Sequence, residues 1–308
     1  MSPLRAALAD YLAVRRSLGF KLAGAERLLD QFIAYLEERG EQTIRAELAL
    51  AWATLPANAH PSWPWYRLSA VRVFAAHMKT IDPATEVPAT DLLPRHRRRR
   101  VPYLYSEEQV DALIAAAGTL KTEHRVATYR TLLGLLAVTG MRVGEAIRLD
   151  RDDVDFGAEL IVVRRTKFNK SRELALHPST ARALHGYLER TDRPRGARST
   201  EAVLVSTAGT RLLYPNVAGT FRLLANRAAI APRSTGRQPT LHDLRHSFAV
   251  RTILDGYRGG GAVEGRLAAL STYLGHADPA DTYWYLSAAP ELMGLAAERL
   301  ECHLGGRS

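Results

Sequence analysis

Between Asp82 and Pro102 the chain carries prolines at positions 83, 88, 94 and 102, and the last two bracket Arg95-His96-Arg97-Arg98-Arg99-Arg100. Prolines flanking a charge block break helical periodicity and mark an interdomain linker rather than a packed element. The segments on either side must then each bury a core of their own. A chain of 308 residues is expected to form two ordinary domains rather than one large one. The expected division is a domain over 1–86, a basic linker over 87–103 and a second domain over 104–308.

In the first part, apolar residues recur at helical spacing from Leu4 to Gly19, from about Gly24 to Glu38, from Glu47 to Leu55 and from Pro61 to Met78. Four short helices with brief loops predict a small all-α domain. Beyond the linker the pattern is mixed. Ser106-Glu107-Glu108 reads as an N-cap with an acidic first turn, and a helix follows from about Ala127 to Val138. Glu159 to Arg165 and Arg172 to His177 read as two strands of a β-hairpin around Lys167-Phe168-Asn169-Lys170. Pro178 to Leu188 and Pro215 to Ile230 give further amphipathic helices. The fold class is therefore mainly α with a small β-hairpin or sheet (α+β).

Forty-two Lys and Arg against 32 Asp and Glu give a net charge of +10, and the isoelectric point is near 9.9. That balance favours a polyanionic partner, nucleic acid before membrane, because no apolar span accompanies it. In the linker, Arg95, Arg97, Arg98, Arg99 and Arg100 would neutralise phosphates and steepen the salt dependence of binding. Arg15, Arg16 and Lys21 form a second candidate group for the DNA backbone. A single cysteine, Cys302, excludes an internal disulfide and a cysteine-rich zinc site and suits a reducing compartment. The N-terminus lacks the uninterrupted apolar core of a signal peptide, so a cytoplasmic protein is expected.

Reactive side chains concentrate between Thr240 and Leu286, in Leu241-His242-Asp243-Leu244-Arg245-His246, Leu274-Gly275-His276 and Tyr283-Trp284-Tyr285. A phenol is a poor nucleophile at its ordinary pKa of about 10, so one used in catalysis belongs among bases and cations. His242 and Arg245 fall three apart on one helix face, and His246, four from His242, can share it. On a helix Tyr283 and Tyr285 point about 200° apart, so a pocket receives only one of them. Upstream, in Thr139-Gly140-Met141-Arg142-Val143-Gly144-Glu145, Glu145 shares the face of Arg142 and can orient it by a charge-assisted hydrogen bond.

These segments together resemble the tyrosine recombinases, the phage-integrase family. The family pattern is His-x-x-Arg, then Leu-Gly-His, then a tyrosine nine residues later, and His242, Arg245, His276 and Tyr285 fit it. Its Thr-Gly-x-Arg-x-x-Glu box matches Thr139 to Glu145. The resemblance implies that Arg142 and Arg245 stabilise the nonbridging oxygens of a phosphodiester and that His276 adds a donor. It implies that His242 accepts or relays the phenolic proton, and that Tyr285 attacks to form a covalent 3′-phosphotyrosine. Tyr283 is left to pack beside Trp284. A lysine at the hairpin, usually between glycines, would protonate the leaving 5′ oxygen; Lys167 aligns with it without those glycines, and Lys170 competes for the role. Lys170 and Arg172 join the linker arginines as candidate DNA contacts.

The resemblance also implies a core-binding role for the N-terminal helical domain and a duplex carrying a specific recombination site as partner. A tail helix over Pro290 to Leu300 would dock on a neighbouring protomer, giving a tetramer at synapsis. The segment from Leu270 to Leu292 looks like the branch carried by transposon-like elements that encode several recombinases, which adds sister recombinases as candidate partners. The glycine-rich stretch from Gly256 to Gly265 is expected as a mobile loop. Asp243, Asp278 and Asp281 are scattered rather than clustered for Mg²⁺, and there is no Gly-x-x-x-x-Gly-Lys-Ser/Thr loop, so neither metal nor nucleotide cofactor is expected. Two alternatives stand beside a recombinase: a type IB topoisomerase-like enzyme acting as a monomer, and a catalytically idle DNA-binding subunit that assists sister recombinases.

Overall fold

The computed structural model describes residues 2–57, 59–94, 102–164, 171–194, 200–232, 238–258, 263–276, 278, 280–288 and 294. The chain divides into two compact units, 1–100 and 101–308. Among the described residues it is mainly helical, with a small antiparallel sheet. The linker arginines, Lys167, Lys170, nearly all of the C-terminal tail and Cys302 lie outside the described residues.

The first unit contains α1 (Pro3–Ser17), α2 (Ala23–Glu37), α3 (Ala46–Thr54) and α4 (Trp63–Met78). Helix α1 starts where Ser2 accepts the Arg5 amide and Pro3 occupies the first turn. Phe32, Ile33, Leu36, Leu68, Val71 and Phe74 are fully buried and close one core. Arg67 is also buried, its guanidinium 3.8 Å from the Trp52 ring and donating to the Trp52 carbonyl. The chain stays on this unit past Glu86, because Arg72 donates to the carbonyls of Pro88 and Ala89 at 2.7 Å each.

The second unit opens with α5 (Glu107–Ala116), α6 (Glu123–Thr139) and α7 (Val143–Arg148). Ser106 and Gln109 form a capping box on α5. Helix α6 begins four residues before the expected Ala127, because the Thr122 hydroxyl caps the Arg125 amide. Strands β1 (Val154–Asp155), β2 (Leu160–Val163) and β3 (Arg172–Ala175) pair antiparallel in that order. Register runs Leu160 to Ala175 and Val163 to Arg172, which turns Ile161 and Val163 inward. The strand expected from Glu159 starts one residue later, since Glu159 has φ +52° and belongs to the turn.

Helices α8 (Pro178–Leu188), α9 (Tyr214–Arg227), α10 (Leu241–Arg258), α11 (Val263–Leu274) and α12 (Ala280–Ala288) complete the described unit. Asp243 is fully buried, accepting from the Thr240 amide and hydroxyl and from the Tyr103 amide, so it fixes the start of α10. Of the loop expected over Gly256 to Gly265, the flanks are helical, since α10 continues to Arg258 and α11 begins at Val263, while 259–262 lie outside the described residues. Gly256 is helical and faces Arg266, whose Cδ a Cβ there would meet at 3.1 Å.

Candidate active site

Arg142 precedes the first turn of α7, and Glu145 sits three residues on, so the carboxylate reaches back to both the Arg142 amide and its guanidinium, each at 2.9 Å. Arg172, at the start of β3, meets the same carboxylate from the other side with two donors, at 2.8 and 3.2 Å. Its Nε donates to the Tyr273 carbonyl at 2.7 Å. Glu145 is only 4% exposed. Burial pushes its carboxyl up, but the hydrogen bond and charge of Arg172, reinforced by Arg142, more than reverse this and hold it at about 2. A single buried carboxylate thus aligns two guanidinium groups and leaves excess positive charge at the site.

Arg245 comes from the first half of α10 and is 2% exposed. It donates to the Gly140 carbonyl at 2.9 Å and the Leu274 carbonyl at 2.7 Å, joining the end of α6 to the end of α11. Burial, and then the neighbouring charge of Arg142, bring its guanidinium down to about 10, so it stays charged at neutral pH. The turn after α11 has Gly275 at φ +67°, and the Gly275 carbonyl accepts from Arg142 at 3.3 Å. That turn delivers His276, whose Nδ1 pairs with the Thr282 hydroxyl at 2.7 Å. Burial and the charges of Arg245 and Arg142 lower His276 to about 4, so the ring is neutral at pH 7.

Helix α12 then places Tyr285, 2% exposed, against all of this. Its ring stacks on His276 with centroids 6.1 Å apart, and its hydroxyl lies 3.1 Å from His246 Nδ1. Burial raises the phenol's pKa, while the charge and hydrogen bond of Arg245 and the charge of Arg142 act the other way. Arg142, Arg245, His276 and Tyr285 therefore meet in one pocket of one chain. Fixed guanidinium groups, a neutral imidazole and a phenol in contact with a base suit nucleophilic attack on a phosphodiester.

Other expected residues fall elsewhere. His242 is exposed and reaches the pocket's edge through a ring contact with His246, centroids 4.6 Å apart. Tyr283, expected to pack beside Trp284, is instead 53% exposed. Arg172, expected at DNA, has its guanidinium turned inward onto Glu145 and the Tyr273 carbonyl. In the first unit, Arg16 pairs with Glu26 and Arg15 lies over Phe20, while Lys21 is exposed. Sequence reasoning missed Gly140, Arg172 and Thr282 as parts of the site. Among the described residues no group of three or more His, Cys, Asp or Glu is arranged to hold a metal ion, and no helix is long and apolar enough to cross a membrane.

The family model described as "Phage integrase family" matches residues 104–291. The chain is 42% identical over 307 residues to y4rB of Sinorhizobium fredii, a candidate integrase/recombinase, covering 98% of each chain. It is 32% identical over 296 residues to y4rE, another candidate integrase/recombinase of the same strain, covering 94% of this chain and 93% of that one. The fold is similar to that of the Tn1549 transposon integrase solved in complex with transposon right end DNA: TM-score 0.65, 16% identity, 96% of this chain and 98% of that one.

Proposed function

This chain belongs to the phage integrase family, the tyrosine recombinases, and on that premise we propose that it is the site-specific recombinase of a mobile element, with Tyr285 as its nucleophile. The observation that carries the reading is the position of the Tyr285 hydroxyl, buried among Arg245, His246 and His276 of its own chain. Tyr285 attacks a phosphodiester of duplex DNA in line with the 5′ oxygen, forming a 3′-phosphotyrosine that conserves the bond energy for rejoining. Arg142 and Arg245 face the two nonbridging oxygens, where transition-state charge gathers. In this scheme neutral His276 carries its proton on Nε2 and gives the phosphate a third donor, and its Nδ1, 2.7 Å from the Thr282 hydroxyl, then accepts from that hydroxyl. Lys167 protonates the leaving 5′ oxygen. No metal or nucleotide enters this scheme, and the reaction takes place in the cytoplasm, where the DNA is.

The helical first unit is assigned to the duplex beside the cleavage site, and the linker arginines to its backbone. The 290–300 segment is assigned to a neighbouring protomer, in the apolar groove of about 600 Å³ that Phe248, Ile253, Leu267 and Leu270 line between α10 and α11. Four protomers so joined make the synaptic complex. Sister recombinases as further partners are supported by the similarity to both y4rB and y4rE of one strain.

Covalent capture tests the chemistry. Wild type, Tyr285→Phe and Tyr283→Phe are incubated, without added metal, with nicked suicide duplexes drawn from the ends of the host element. The expected result is a protease-sensitive DNA adduct with wild type and Tyr283→Phe and none with Tyr285→Phe. Binding to the verified site without any adduct would instead indicate an accessory DNA-binding subunit.

A further inference from the structure

Residues four apart on a helix share a face, so α10 presents both His242 and His246 near the nucleophile. The fold treats them differently. His242 is exposed, whereas His246 is half-buried, its ring bordered by Trp284 and Tyr285 with centroids 5.5 Å away in each case and by His242 at 4.6 Å. His246 Nδ1 stands 3.1 Å from the Tyr285 hydroxyl, within the distance a general base needs. The phenol is 2% exposed, so bulk water is poorly placed to take its proton. Arg245, which also bonds the phenol, is a cation and accepts none. His276 has its Nδ1 engaged by Thr282 and meets the phenol ring by stacking.

We propose that His246, rather than His242, takes the phenolic proton as Tyr285 attacks and returns it when the strands rejoin. The proposal rests on the recombinase reading above. Before attack, Nδ1 of His246 is unprotonated and accepts the phenol's hydrogen bond, with the ring proton on Nε2. As the bond from the tyrosine oxygen to phosphorus forms and the bond from phosphorus to the 5′ oxygen breaks, the phenolic proton passes to Nδ1, giving an imidazolium. The 5′ oxygen takes its proton from Lys167. On rejoining, the 5′ hydroxyl attacks phosphorus and its proton returns to Lys167, while His246 protonates the departing tyrosine oxygen, so protons balance over the cycle.

The test uses the full chain and a nicked suicide duplex, with adduct formation followed in a single turnover. In His246→Asn the side-chain amide oxygen comes close to the place of Nδ1, so it can accept the hydrogen bond but takes no proton at neutral pH. His246→Ala removes both functions and leaves room for a free imidazole. The expected result is a loss of about 100-fold in adduct rate for both variants at unchanged DNA affinity. Added imidazole partly restores His246→Ala and not His246→Asn. His242→Asn loses less than tenfold. An asparagine variant as fast as wild type, or a His242→Asn loss larger than that of His246→Asn, overturns the assignment and leaves the recombinase reading intact. Absence of an adduct with wild type on the verified site removes both. If His246→Ala fails to fold, His246→Asn against His242→Asn still decides.

Discussion

Arg142 stands at the head of α7 with 37% of its side chain exposed and a carboxylate for partner, whereas Arg245 stands inside α10, 2% exposed, with two backbone carbonyls for partners. The first is aimed by a chain of charges, Arg172 to Glu145 to Arg142. The second is aimed by the path of the backbone itself, through Gly140 and Leu274. Two guanidinium groups assigned to one phosphate thus depend on different things: one on the ionisation of Glu145, the other on the packing of α6, α10 and α11. Perturbing charge and perturbing packing should therefore strike them separately.

Replacing each arginine by lysine is the strongest way to break the comparison. A lysine at 245 would inherit a site that already lowers a guanidinium to about 10 through burial and the Arg142 charge. An ammonium desolvates less readily and has a lower ordinary pKa, so this lysine holds its charge less firmly than the arginine, and it cannot reach two carbonyls with a planar fork. Arg245→Lys is expected to cut adduct formation about 1,000-fold or more, the upper range for loss of one preorganised donor. Arg142→Lys keeps a carboxylate neighbour and access to solvent, and should lose about 10- to 100-fold. Single-turnover rates for the two variants check this. Equal losses would mean that exposure does not distinguish the two positions.

Replacing Glu145 by glutamine probes the charged half alone. The wild-type carboxyl falls from an ordinary 4.5 to about 2 in the folded protein, a difference worth about 3 kcal/mol. A depressed carboxylate contributes stability above its unfolded pKa and loses it as pH falls through its folded pKa. At pH 7 Glu145→Gln should therefore be less stable than wild type by about 3 kcal/mol. The gap should close between about pH 4.5 and pH 2, as wild type gives up the same contribution. Urea unfolding at pH 7 and at low pH measures both ends. Adduct formation at pH 7 should fall about tenfold, through Arg142, because the amide oxygen still accepts from two of the four donors while the amide NH2 cannot accept from the others.

How legible each half was in the sequence follows the same division. The four helices of the first unit were readable because Leu28, Leu29, Phe32, Ile33 and Leu36 repeat with the helix period that buries them. Arg142 and Glu145 were readable as a pair because they lie three residues apart on one short element. Contacts that cross the fold left no periodic trace. Arg172 reaches Tyr273 across 101 residues and Arg245 reaches Gly140 across 105. Arg172 therefore looked like one more basic residue on a basic hairpin. His246 and His242 were equivalent by spacing, and only the docking of α12 separates them. Strand β1, two residues long, is too short to show an alternation at all.

The smallest expected effect comes from Gly140, and it tests the packed half. This residue ends α6 at φ +60°, a conformation that costs a residue with a Cβ about 1–2 kcal/mol. A Cβ there would also overlap Phe248 Cδ1, closer than any real contact, so either the Phe248 ring or the turn must move. The Gly140 carbonyl holds Arg245, and movement of the turn would misaim that guanidinium without touching the Glu145 charge chain. Gly140→Ala should therefore cost about 2 kcal/mol in urea unfolding. Its loss of adduct rate, at temperatures where it remains folded, should be no more than about tenfold. Placing Gly140→Ala in a Phe248→Ala background separates the two causes by a double-mutant cycle. The steric part vanishes with the ring and the backbone part stays. Recovery of the adduct rate in the double variant would assign the misaiming to the Phe248 contact. No recovery would assign it to the left-handed turn itself, so that the backbone conformation at 140 alone sets where Arg245 points.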